Sequence, residues 1–339
     1  MHILPRELES VILHDVAVRP DGVAWAIGEQ DGAAWLGRFE ADDWRQVKLP
    51  PVKGLGLATT IDARGNVWVF IGPPDNWPDR DHSYAARWNG KAWQVTDLGP
   101  GLFVKEAVTV GDEIWFLARR GPYDPKSPTV VKRLTGGTWV DTKVPISGEG
   151  LDGQVPGEVW AVGRGLERLG TGPEDRQPTA ARWNGHRWEK MPLPPQKLPK
   201  GGNAIFWDVL VRGHGQVWAV GGIFDPEEPY RSRTLLARWD GSAWRIEVGA
   251  DEVIEGTGFM EIEADGRGGA WIRDSYDTFL RHVDATGRTL RRQELGGGKD
   301  CSQNIAAIAR RPGTAMLLGA GAYADCADGA YRAALYQVD

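Results

Sequence analysis

The phrase Arg-Trp-(Asn/Asp)-Gly-x-x-Trp recurs at Arg87–Trp93, Arg182–Trp188 and Arg238–Trp244, each copy follows a Gly-x-Val-Trp-like segment, and no stretch shows a long 3.6-residue apolar period. Together these predict an all-β fold, a seven-bladed β-propeller of four-stranded blades that spans residues 1–339 as one domain. Degenerate copies at Arg38–Trp44 and Arg133–Trp139 extend the repeat along the chain. A length of 339 residues would ordinarily suggest two domains, but a closed ring of repeats holds it as one unit. The 45 glycines and 17 tryptophans suit many tight turns and wide sheet-to-sheet contacts.

Each unit of about 40–50 residues divides into strands a to d, as propeller repeats do. Strand b is anchored by Trp25, Trp68, Trp115, Trp160, Trp218 and Trp271, with Met316 in the seventh place. Strand a precedes it as a β-like run ending in a glycine-containing turn, for example Val16–Gly22, Thr59–Gly65 and Val209–Gly215. Strands c and d are the two arms of the Arg-Trp-Asn-Gly-x-x-Trp hairpin. The seventh unit runs through Ala333–Val338, the equivalent of strand c. His2-Ile3-Leu4-Pro5 matches the tail of a strand d such as Lys48-Leu49-Pro50, so the N-terminus is expected to complete the last blade and close the ring.

This connectivity sorts the loops onto two faces. The a–b and c–d turns are short and built on pairs such as Asn89-Gly90, Asn184-Gly185 and Asp240-Gly241. The b–c loops and d–a connections, on the other face, are long and irregular, and loops of that kind carry function when a rigid scaffold supports them. Fourteen tryptophans occupy repeat positions and are expected to pack blade against blade. Trp35, Trp77 and Trp207 stand outside the repeat and are expected on the variable face, with Tyr84, Tyr123, Tyr230, Tyr276 and Tyr323 in or beside its b–c loops. Such an aromatic, polar-tipped rim suits sugars, aromatic ligands or a protein partner; the alternative is that the loops use it to pack against one another.

Counting back from the strand-b tryptophans puts Asp15, Ala58, Lys105, Asp208, Glu261 and Ala306 in one column of the innermost strand, with His14 and Trp207 just before it and Glu106 just after. That column should ring the central channel. Carboxylates, a lysine and a histidine in a desolvated mouth shift one another's pKa values and supply an acid and a base; the alternative is a solvated, charge-lined tunnel. His82 closes an acidic loop with Asp75, Asp79 and Asp81 whose spacing matches no established cation loop, and Arg231 and Arg233 are candidates to grip an anionic group. Cys301 and Cys326 both fall on the variable face, either as a disulfide or as two thiols.

The net charge of −6, with both signs interspersed, gives no basic footprint for nucleic acid or anionic membrane. With no leader-like start and no apolar run of about 20 residues, a cytoplasmic monomer is expected, exported instead if the cysteines pair. Neither a metal nor a cofactor is expected. The usual catalytic strings are missing, and Gly296-Gly-Gly-Lys299 is followed by Asp300 rather than Ser or Thr. His282 is expected to replace the strand-c tryptophan of its blade.

Val-Trp-Ala-Val-Gly at 159–163 and 217–221, followed by Ala-Arg-Trp-(Asn/Asp)-Gly-x-x-Trp at 181–188 and 237–244, resembles the tryptophan-rich propeller repeats of actinobacterial and myxobacterial proteins. Asp62-Ala-Arg-Gly-Asn-Val-Trp68 and Asp265-Gly-Arg-Gly-Gly-Ala-Trp271 are similar to the a–b turn of streptogramin-lyase propellers, though no catalytic histidine and glutamate match residue by residue. The resemblance implies the fold and leaves two functions open. One is a propeller that binds a small molecule, glycan or protein through Trp35, Trp77, His82, Trp207, Arg231 and the loop tyrosines. The other is a lyase, cyclase or hydrolase with His14, Asp15, Asp208 and Glu261 as acid and base and Lys105 as charge stabiliser.

Overall fold

Strands a to d of each unit pair in sequence order, so the described residues build seven four-stranded antiparallel sheets and no helix. These sheets are the blades of a seven-bladed propeller. The computed structural model describes residues 2–3, 10–73, 81–121, 129–165, 176–213, 215–227, 231–255, 258–274, 279–294, 303–324 and 331–338. From blade one to blade seven the innermost strands are Val11–Val18, Leu55–Ile61, Leu102–Val110, Ser147–Val155, Asn203–Val211, Phe259–Ala264 and Gln303–Arg310. Blade seven takes its outermost strand from the N-terminus, where His2 pairs with Leu335 and Ile3 with Ala334. Blades seven and one meet in an apolar cluster that includes Val16, Ala26, Leu318 and Leu335, and Arg311 Nε donates to the Pro20 carbonyl at 3.0 Å.

The repeated tryptophans form the joints between blades. Trp115 of blade three lies edge-on to Trp183 and Trp188 of blade four, with ring centres at 5.7 and 6.2 Å. One blade on, Trp160 meets Trp239 and Trp244 at 5.9 and 5.7 Å. The arginine of the repeat lies over the strand-b ring, as Arg133 does over Trp115 at 5.7 Å and Arg182 over Trp160 at 6.0 Å. Such cation–π contacts desolvate the guanidinium stem while its charge stays near a turn carboxylate, Glu113 at 3.4 Å for Arg133.

Two assignments from sequence move. His282 pairs across from Trp271, the position of the repeat arginine, and Val283 holds the tryptophan's place. The imidazole does the arginine's work: it stacks on Trp271 at 4.4 Å and contacts Asp265 Oδ2 at 2.9 Å. In blade seven the strand-b core position belongs to Leu318, because Leu318 pairs with Ala309 as Trp25 pairs with Ala17. Met316 lies in the a–b turn, where its carbonyl accepts from Arg311 N. The turn of that blade is one residue longer, and an anchor placed by sequence similarity alone slips.

Every innermost strand carries a β-bulge at the same place, between Leu13 and Asp15, Gly56 and Ala58, Val104 and Glu106, Gly148 and Gly150, Phe206 and Asp208, Phe259 and Glu261, and Ile305 and Ala307. The glycine ending Val-Trp-Ala-Val-Gly lies across from it. A Cβ on Gly28, Gly163 or Gly221 would stand 1.9 Å from the carbonyl oxygen of Ile12, Ser147 or Ile205. Gly221→Ala must push the inner strand aside, and a loss of about 1–3 kcal/mol is expected from such overpacking, measurable by urea unfolding. A midpoint equal to wild type would show that the bulge yields without strain.

Candidate functional site

A bulge leaves one residue unpaired and turns it toward the open side of the strand. The seven unpaired residues are His14, Leu57, Lys105, Glu149, Trp207, Met260 and Ala306, and all of them line one cavity of 270 Å³ at the variable-face end of the channel. Behind them comes the next residue of each strand, which supplies Asp15, Glu106, Asp208, Glu261 and Ala307 to the same wall, and Arg273 reaches in from strand b of blade six. The expected column therefore divides in two. Lys105 and Ala306 stand with His14 and Trp207, while Glu106 stands with Asp15, Asp208 and Glu261. The a–b turn is one residue shorter in blade three, so a count back from Trp115 lands on Lys105 instead of Glu106. In blade seven the count starts at Met316, two residues before the true anchor Leu318, and the turn is one longer, which together leave it one short at Ala306. Glu149, from a blade whose column residue is Gly150, went unrecognised in the sequence.

The carboxylates of the rear column serve the architecture first. Strand a has no neighbour on its channel side, and its free N–H groups need acceptors. Asp15 accepts from its own next residue Val16 N and from Thr59 N of blade two, both at 2.7 Å. Asp208 repeats this with Val209 N at 2.7 Å and Ile262 N at 2.8 Å. Glu106 accepts from Leu151 N at 2.6 Å, and Glu261 from Ile308 N at 2.9 Å. In each case the side chain of one blade caps the inner strand of the next.

Burial shapes their protonation. Asp15 is pushed up to about 7 by desolvation, with the Glu261 charge adding and the backbone donors opposing. Glu106 and Asp208 are driven well above the ordinary carboxylate range by burial, then by the nearby charge of Asp208 and Glu261 respectively. Burial also raises Glu261, against the pull of Arg273, whose Nε donates to Glu261 Oε2 at 2.9 Å. Lys105 is lowered to about 8 by burial and pairs with Glu149. His14 Nδ1 donates to the Gly56 carbonyl at 2.8 Å, and its Nε2 lies 3.8 Å from Glu29 Oε1. Deeper in the channel Asp152 is pushed up to about 7 and Glu263 is raised, again by burial.

Of the aromatic residues chosen from sequence, only Trp207 is seen at the mouth, half-buried and edge-on to Phe224 at 6.4 Å. Trp35 is a core residue, 1% exposed and packed on Trp44 between blades one and seven. The strand pleat turns it inward, and Gly37, where a Cβ would lie 2.3 Å from the indole, leaves it room. His82 and Tyr84 are in strand c of blade two, away from the cavity lining. There His82 Nδ1 contacts Asp97 Oδ2 at 2.7 Å, and its ring centre lies 6.4 Å from that of Tyr84. Trp77, Tyr123, Tyr230, Tyr276, Cys301 and Cys326 lie outside the described residues. For Arg231 and Tyr323 the backbone alone is described, paired with Glu255 and Gln303 at strand ends. Among the described residues no group of three or more His, Cys, Asp and Glu is arranged to hold a metal ion.

No protein-family model matches the chain, and no curated protein matches it. Solved structures with the same fold include a catalytically inactive virginiamycin B lyase from Staphylococcus aureus with quinupristin, at 13% identity and a TM-score of 0.63, covering 99% of this chain and 98% of that one. An ulvan lyase, a polysaccharide lyase, matches at 12% identity and a TM-score of 0.60, over 96% and 94% of the two chains. YCF48 bound to D1 peptide matches at 13% identity and a TM-score of 0.58, over 99% and 94%. The propellers similar to this chain thus include both lyases and a peptide-binding protein, and at these identities the likeness shows the fold alone.

Proposed function

We propose that this propeller binds a small molecule at the variable-face mouth of its channel. The observation that carries the reading is the convergence of all seven unpaired bulge residues on one cavity. Its 270 Å³ is near the lower end of ligand pockets, which favours a metabolite over a glycan chain or a protein surface. Trp207 gives one flat apolar wall, and the charged groups around it fix orientation. A thermal-shift screen of metabolites should yield ligands that raise the melting temperature. At about 100 times its dissociation constant a ligand adds roughly 2.7 kcal/mol. Trp207→Ala should abolish the shift with the unliganded melting temperature nearly unchanged. A shift that survives this substitution would place the ligand elsewhere.

Acid–base catalysis at the same mouth is a second reading, favoured by groups poised near neutral pH. Burial pushes Asp15 up to about 7 and Lys105 down to about 8, and His14, held through Nδ1 by the Gly56 carbonyl, stands beside them in the cavity wall. Here His14 is the base, Asp15 the acid, and Lys105 and Arg273 the groups that stabilise developing negative charge. Binding without turnover of any ligand found in the screen would remove this reading and leave the first intact.

A further inference from the structure

We propose that the ligand of this mouth is a small organic cation bearing N–H donors, a primary ammonium or a guanidinium, and that it enters in exchange for protons. This rests on the small-molecule reading above. The argument begins with charge. The two cations in the wall are already engaged by carboxylates, Lys105 by Glu149 with Glu106 also close, and Arg273 by Glu261. Asp15 and Asp208 have no cationic partner among the described residues; each accepts backbone N–H groups only. Asp208 is 9% exposed and lines the cavity. A carboxylate buried without a counter-charge takes up either a proton or a cation. Where no cation is bound it is the proton, consistent with the upward shifts of Asp15, Glu106 and Asp208.

The geometry selects an organic cation over a metal ion. Both oxygens of Asp15 and of Asp208 are already tied to backbone donors of two blades, so they cannot swing together around a metal. Each ionised oxygen keeps a second lone pair, which an ammonium N–H reaches at ordinary hydrogen-bond length. The Trp207 face suits a cation, and Leu57, Met260 and Ala306 form apolar wall for an alkyl stem. Other charges act on this ring. Glu261 acts on Asp15 and Asp208, Asp152 acts on Asp208 and Glu106, and Asp208 and Asp15 act on Glu106. His14 and Glu29 lie together on blade one, Arg164 lies near Lys105, and Glu263 and Arg310 stand deeper in the channel.

The test is titration calorimetry of the intact chain with putrescine at pH 6 and pH 8, with glutarate, glucose and calcium chloride as comparison probes. Putrescine should bind about tenfold more tightly at pH 8, the change expected when one group titrating near 7 must lose its proton. Two buffers of different ionisation enthalpy should report proton release. Ala306→Lys and Met260→Lys place a fixed cation at bulge positions where blade three already carries Lys105. Both should fold, as judged by melting temperature, and both should weaken putrescine binding at least tenfold. Equal affinity at the two pH values would overturn proton exchange, and tighter binding of calcium would overturn the organic cation. Glutarate or glucose binding that responds to Trp207→Ala, with no putrescine binding, would overturn the cation while sparing the small-molecule site. No binding by any probe would sink both.

Discussion

Trp160→Ala is expected to destabilise the propeller by about 3–5 kcal/mol, the range for removing a large aromatic from a close-packed core. Trp160 is fully buried and belongs to the apolar cluster that joins blades four and five, edge-on to Trp244 and inclined to Trp239. Blades have no covalent link except one connecting segment, so these clusters, together with the carboxylate caps on the inner strands, hold neighbours in place. At about 2 °C per kcal/mol for a chain of this size, the melting temperature should fall by roughly 6–10 °C. Leu290→Ala, on a residue 51% exposed, should change stability by less than about 0.5 kcal/mol. Equal effects from the two substitutions would show that the tryptophan joints do not carry the ring.

Acidification should stabilise this protein over a range where many proteins only lose stability. Asp15 and Asp152 titrate at about 7 in the folded state, against 3.8 for a free aspartate, and Glu106, Asp208, Glu261 and Glu263 are also raised. The folded state therefore holds protons that the unfolded chain gives up between about pH 4 and 7, which makes stability decline with rising pH. Their contribution is fully present below about pH 4 and is lost as pH rises through about 7. Lys105, lowered to about 8, works in a separate window: its contribution is present above about 10.5 and lost as pH falls through about 8. Asp62 and Asp265 are held low by hydrogen bonds that outweigh their burial, and their contribution disappears only in more acid solution. The melting temperature should rise by several degrees from pH 8 to pH 5 and fall again below about pH 4. A monotonic fall from pH 8 to pH 5 would mean that the channel carboxylates are hydrated and ionise normally.

The bulge also explains why the site was only half legible. In blade one Val11 and Leu13 are buried, then Val16 and Val18, so the alternation skips a beat at His14 and Asp15. Blade three does the same with Leu102 and Val104, then Ala107, on either side of Lys105 and Glu106. In these two blades the doubled polar position is visible in the sequence and marks the channel wall without any count from the tryptophans. It would have set Lys105 beside His14 and Glu106 beside Asp15. Glu149 is harder, because Gly148 and Gly150 flank it and leave almost no apolar rhythm to break.

The repeat phrase determined the seven blades, their four antiparallel strands, the two classes of loop and the tryptophan joints, because burial period and turn chemistry are local and recur with every copy. Only the tertiary structure decided that Trp35 belongs to the core, that His282 stands in for an arginine, and that carboxylates of one blade cap the inner strand of the next. Those facts depend on which groups from different blades meet across a curved ring, and on a one-residue difference in turn length that changes register. Protonation in the channel is decided there too, since desolvation and like-charge proximity exist only once seven strands face one axis.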